Sequence, residues 1–178
     1  MSNPFKTIVF PTDLTPLDAG AIGLIHSILS TGVSELHVFH VLSLFEEIPM
    51  GYPIPPEYYR EVDLAAAQAV KKISSQFTGK GVTVTSGIYR GNPDQTILEV
   101  SAAKNADAIL IFSHGKGIFG RVLLGSTSTS VLHHSPIPVI LLKPDAINQG
   151  LMKHLDKTSP PSNIYPSLSI PEEAGPNS

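Results

Sequence analysis

The chain has 178 residues, 42% of them hydrophobic and 15% charged, with a formal net charge of −3. One sizeable core is affordable on that composition, while the charge gives no general attraction to nucleic acid or an anionic membrane surface. Lack of cysteine excludes disulfides, thiol catalysis and cysteine-ligated metals. No apolar run approaches the roughly 18–20 residues of a membrane span, and "MSNPFKTIVFPTD" has no basic-then-apolar signal pattern. The expectation is a cytoplasmic protein with no membrane insertion and no nucleic-acid partner.

"KTIVFP" (Lys6 to Pro11) is apolar without polar alternation, as in a strand buried on both faces. In "TDLTPLDAGAIGLIHSILS", Thr15 is placed to cap a helix, Pro16 suits its first position, and Asp18 lies near its positive end. Ala21, Leu24, Ile25 and Ile28 then recur at helical spacing. "ELHVFHVLSL" is a second strand. "FEEIPMGYPIPP" carries too many prolines for a regular element and reads as a long loop. Its tyrosine-bearing extension, with Tyr52, Tyr58 and Tyr59, is either a solvent-facing connection or a lid or docking surface.

A helix from about Glu57 to Phe77 follows, ended by "TGKG", and "VTVTSGIY" alternates as a third strand. Asn92, Pro93 and Gln95 spell a helix start with a capping box. "ADAILIF" is the fourth strand, Ser126 to His133 a short helix, and "IPVILLK" the fifth strand. Residues 1–145 therefore form one domain. After Pro144 the chain is rich in Pro, Ser and Asn, so residues 146–178 read as a flexible tail, with a short helix allowed around Gln149 to Asp156. Such a tail is either a plain disordered end or a segment that binds a protein partner.

Alternating strands and helices imply an α/β, Rossmann-like open parallel sheet with helices on both faces. If strands one to three wind one way and four and five the other, the order is 3-2-1-4-5. Strands one and four then flank the switch point, where ligands of open α/β sheets bind. That brings Pro11, Thr12 and Asp13 beside the stretch Ser113, His114, Gly115, Lys116 and Gly117.

"HGKGIFGRVLLGST" contains G-x-G-x-x-G, but it follows the fourth strand, "IFGRVLL" precedes the helix, and Lys143 stands where an acid would end the next strand. A P-loop is excluded because Arg121 and Val122 replace its Lys-Ser/Thr. Gly125-Ser126 is the better phosphate candidate: it opens a helix whose first N–H groups lack partners, and glycine removes the Cβ from an anion's path. A merely capped structural helix is the competing reading.

Here the chain resembles the universal stress protein (UspA-like) family, over about Pro4 to Pro144. The carrying segments are "IVFPTDLTPLDAGAI", "FHVLSL", "RGNPDQTILEVSAAKNADAILI" and "RVLLGSTSTSVLHHSPIPVILLK", together with Gly115, nine residues, then Gly125-Ser126. These last reproduce the second half of the family's G-x2-G-x9-G-(S/T) motif. The resemblance implies binding of ATP or another adenine nucleotide such as AMP, with or without Mg2+. Asp13 and Val41 would hold the adenosine end, and Gly115, Gly125, Ser126 and Thr127 would offer donors to phosphates. It further implies a homodimer through the fifth strand, Ile137 to Lys143. One departure stands out, since the family's first glycine falls on Phe112, whose ring either fills the ligand site or turns into the core.

Asp13 alone also fits a turn or cap, and Lys116 and Arg121 either neutralise phosphate or stay solvated. His114 with Asp13 and Ser126 makes no triad, because no G-x-S-x-G surrounds Ser126. His37 and His40 point to opposite faces of a strand, which excludes joint metal ligation. His133 and His134 suit the end of the last helix. No metal site and no catalytic residue is expected, and any ATP hydrolysis is slow and incidental. The expected function is a regulatory stress-response protein. The alternative is a nucleotide-free interaction module that contacts a partner through its dimer edge, proline loop and tail.

Overall fold

The apolar runs pair side by side into one parallel sheet, and the computed structural model describes residues 5–43, 56–79, 81–113 and 125–143 of it. In chain order the elements are β1 (Thr7–Pro11), α1 (Ala19–Leu29), β2 (Glu35–Leu42) and α2 (Pro56–Ser74). Then come β3 (Thr83–Arg90), α3 (Pro93–Ala103), β4 (Ala108–Phe112), α4 (Ser126–His134) and β5 (Val139–Leu142). The strand order is β3-β2-β1-β4-β5, as expected from the sequence. β1 lies between β2 and β4, with Phe10 opposite Val38 and Val9 opposite Ile109.

Because side chains alternate across a strand, each strand feeds two cores. Ile8, Phe10, Leu36, Val38, Ala108 and Leu110 face Ile25 and Leu29 of α1 and Val70 and Ile73 of α2. Val9, Phe39, Val41, Ile109 and Ile111 face Ile97 and Val100 of α3 and Val131 of α4. Full burial of each large apolar side chain contributes about 1.5–3 kcal/mol. Strands buried on both sides need no polar alternation, which is why β1 and β4 read as continuous apolar runs.

Two helix starts differ from expectation. Thr15 does not cap α1; its N–H donates to Asp13 Oδ1 at 3.0 Å, and Leu14 turns the chain with φ of 66°. The turn built by Thr12 and Asp13 delays the helix, so Asp18 is the cap, accepting from Ala21 N–H at 2.8 Å. At α3, Asn92 is the N-cap residue and Pro93 the first helical residue, but the capping box is absent. Gln95 instead donates through Nε2 to Glu99 Oε1, 3.0 Å away and one turn on. The chain enters α3 through Gly91 at φ +150°, where a Cβ would sit 2.6 Å from Thr96 Oγ1. The second helix is regular only to Ser74 and tightens into a 3-10 turn over Ser75–Phe77. The loop expected before Pro56, the helix around Gln149 to Asp156 and the tail 146–178 lie outside the described residues.

Candidate functional site at the sheet switch point

β1 and β4 end side by side, and at their carboxyl ends opens a cleft of about 210 Å³. Its lining is of two kinds. Val41, Ile97 and Ile111 come from the core on the α3 side, and Pro11 and Pro93 extend that apolar wall. The same cleft is lined by Thr12, Asp13, His40 and Ser43, and by Thr127 and Ser128 of α4. A flat apolar ring matches the apolar lining, and hydroxyl or amine donors match the Asp13 carboxylate.

The loop after β1 is held by its own side chains. Thr12 Oγ1 accepts from Leu14 N–H at 3.1 Å, Asp13 Oδ1 from Thr15 N–H at 3.0 Å, and β2 grips Thr12 through its backbone. Asp13 is exposed, so its carboxylate faces solvent and the cleft mouth.

α4 begins where β4 ends. Gly125 is its N-cap, with an ordinary φ of −67° and no side-chain cap. Glycine is therefore not needed there for conformation, and the residue is buried at the junction of β4 and α4. Gly125 N–H donates to Ser113 C=O at 3.1 Å, Ser113 N–H to Leu142 C=O at 2.8 Å, and Ser128 Oγ to Phe112 C=O at 2.9 Å. These bonds lock the start of α4 against the ends of β4 and β5. The first turn of a helix has N–H groups without intrahelical partners and a partial positive charge. Here that turn opens on the cleft through Thr127 and Ser128.

The universal stress protein family matches residues 4–143 of the chain. The chain belongs to that family. Universal stress protein MJ0531 of Methanocaldococcus jannaschii is 28% identical over 145 residues, covering 79% of this chain and 84% of the relative. The solved structure of MJ0577 from the same organism superposes with a TM-score of 0.64 at 23% identity, covering 79% of this chain and 97% of that one. A universal stress protein structure from Archaeoglobus fulgidus superposes with a TM-score of 0.61 at 26% identity, over 79% of this chain and 51% of the other.

Within this universal stress protein domain, Pro11, Thr12, Asp13, Val41 and Thr127 line one cleft although they come from three separate stretches of sequence. Ser113, Gly125 and Ser126 sit at the junction behind it: Ser113 and Gly125 are buried and Ser126 is exposed. His114, Gly115, Lys116 and Arg121 lie outside the described residues. Phe112 turns its ring toward Phe10, with centroids 5.7 Å apart and planes at 60°, and packs on the core of the α1 side while still contributing to the cleft wall.

His40, Ser43, Pro93, Ile97, Ile111 and Ser128 are cleft residues that sequence reasoning missed. Ile111 shares its face with Val41, a relation that strand alternation carries. Pro93 and Ile97 enter because α3 packs on β1 and β2, a tertiary fact. His37 and His40 do face apart, as their spacing requires: His37 bonds Thr85 and Tyr89, whereas His40 bonds the Thr12 carbonyl. Among the described residues no group of three or more His, Cys, Asp or Glu is arranged to hold a metal.

Proposed function

We propose that this universal stress protein binds an adenine nucleotide, ATP or AMP, at the switch point and acts as a cytoplasmic regulatory homodimer. One observation supports it: apolar Val41, Ile97 and Ile111 line the same cleft as Asp13 and Thr127 and Ser128 of the α4 start. The adenine ring would lie against those apolar residues, Asp13 would accept from a ribose hydroxyl, and the first turn of α4 would hold phosphate. Ser113, Gly125, Ser126 and Thr127 are the described residues assigned to the phosphate end, joined in sequence by His114, Gly115, Lys116 and Arg121. A volume of about 210 Å³ is below the roughly 300–1,000 Å³ of pockets that enclose drug-sized ligands, which suits the nucleoside half with phosphates running outward. Mg2+, where present, would arrive on the phosphates. The protein would work as a binding protein and not as an enzyme, any ATP hydrolysis being slow.

The homodimer would form through Ile137 to Lys143, an apolar sheet edge that a second copy would cover. Residues 1–145 would be the folded domain and 146–178 a flexible tail. Titration calorimetry of the full chain with ATP tests the reading, and weak saturable binding is the expected result. The nucleotide-free module is favoured by one feature, the presence of Phe112 in the cleft wall where the family motif has glycine. Absence of heat with both ATP and AMP would establish that alternative.

A further inference from the structure

β2 holds both backbone groups of Thr12. The Thr12 N–H donates to Phe39 C=O at 2.8 Å, and His40 Nδ1 lies 2.7 Å from Thr12 C=O. A backbone carbonyl only accepts, so Nδ1 must carry the hydrogen. That fixes the tautomer of the neutral ring: Nε2 is left with a lone pair. The ring belongs to the cleft wall, and among the described residues Nε2 has no partner. His40 is half-buried, so water can satisfy Nε2 until a ligand displaces it; a ligand donor then replaces that water, whereas a carbonyl oxygen meets lone pair with lone pair.

We propose that His40 is a specificity-determining residue of this cleft, using Nδ1–H to hold the Thr12 loop and Nε2 to accept a hydrogen bond from the ligand. This rests on the nucleotide reading above and deepens it. The shared chemistry is an N–H or O–H donor beside the β2 end of the cleft. An adenosine nucleotide carries two such groups, the ring amine and the ribose hydroxyls. His40→Asn separates the two jobs of the ring. The Asn amide N–H is placed to keep the bond to Thr12 C=O, while nothing replaces Nε2.

The experiment is calorimetry of the full chain and of His40→Asn with ATP, inosine triphosphate and 2′-deoxy-ATP. Wild type should prefer ATP over one of the two analogues by about tenfold or more, and His40→Asn should weaken ATP about tenfold and erase that preference. Loss of the inosine gap identifies the amine as the donor, and loss of the deoxy gap identifies the hydroxyl. If wild type shows no such gap, or if the gap it shows survives in His40→Asn, the ring only holds the loop and the proposal is overturned. A second measurement covers a variant that does not fold. With ring-¹⁵N-histidine in wild type, ATP should shift the His40 Nε2 resonance, and binding heat without that shift overturns the proposal while leaving nucleotide binding intact. Absence of heat in wild type instead overturns the nucleotide reading itself and this inference with it.

Discussion

His37 should make the domain acid-sensitive by an amount set by one buried ring. The residue is 4% exposed, with Nδ1 2.8 Å from Thr85 Oγ1, Nε2 3.0 Å from Tyr89 OH, and its ring stacked on Phe39. Burial, and secondarily the charge of Lys104, lowers its pKa from 6.5 to about 4. A folded pKa below the unfolded one means the unfolded chain takes up the proton first. The stability involved is therefore fully present above about pH 6.5 and is lost as the pH falls from there toward 4. Linkage between those two values gives a loss of roughly 2–3 kcal/mol at pH 4.5 relative to pH 8. His37→Phe keeps an apolar ring on Phe39 and removes the titration. At pH 8 it should cost about 1 kcal/mol, because the Thr85 and Tyr89 hydroxyls can turn to solvent. Urea unfolding of both proteins at pH 8 and pH 4.5 checks this. Wild type should lose roughly 2–3 kcal/mol more than the variant across that interval, and carboxylates common to both proteins cancel in the difference. Equal pH dependence would refute the assignment of the acid sensitivity to His37.

Val139→Lys or Ile140→Lys, at half-buried positions on the edge strand β5, should convert a dimer into a monomer. Light scattering that finds wild type monomeric at micromolar concentration would remove the basis for that expectation. Truncation after Pro144 should change stability by no more than about 1 kcal/mol, the scale of surface changes; a large fall in melting temperature would mean the tail packs on the domain. Phe112→Gly should cost about 3 kcal/mol of stability through lost packing on Phe10, yet leave ATP affinity within about threefold. A tenfold gain in affinity would show that the ring obstructs the ligand.

The sheet order was legible because each strand announces itself locally: β1 and β4 as unbroken apolar runs, β3 by alternation, and the intervening helices by spacing. Right-handed crossovers then left little freedom, and Asp13 and Ser113 had to end neighbouring strands. Helix caps were less legible. Thr15 and Asp18 are both good capping types, and only the turn at Leu14, set by the side chains of Thr12 and Asp13, decides between them. Asn92 with Gln95 matched a capping box, but a pairing with Glu99 one turn on took the Gln95 side chain instead. In the cleft, Val41 was reached through family resemblance and Ile111 was reachable by alternation. His40 was not, because its role depends on a carbonyl 28 residues earlier that comes within 2.7 Å only after β1 and β2 pair. The Phe112 ring was equally undecidable, since either side of the strand end offers it apolar neighbours.

The central claim is that the α4 start holds the phosphates of an adenine nucleotide whose ring lies against Val41 and Ile111. Calorimetry with ATP on wild type and Gly125→Val tests it most directly. At Gly125 the backbone is unstrained but buried, with its N–H on Ser113 C=O, so valine should act by crowding the junction that sets the first turn of α4 at the cleft, displacing the N–H groups offered to phosphate. The account predicts saturable binding by wild type and near-abolition in Gly125→Val, with both proteins folded by circular dichroism. Unchanged affinity in Gly125→Val would contradict it, and no binding by wild type would contradict it more broadly.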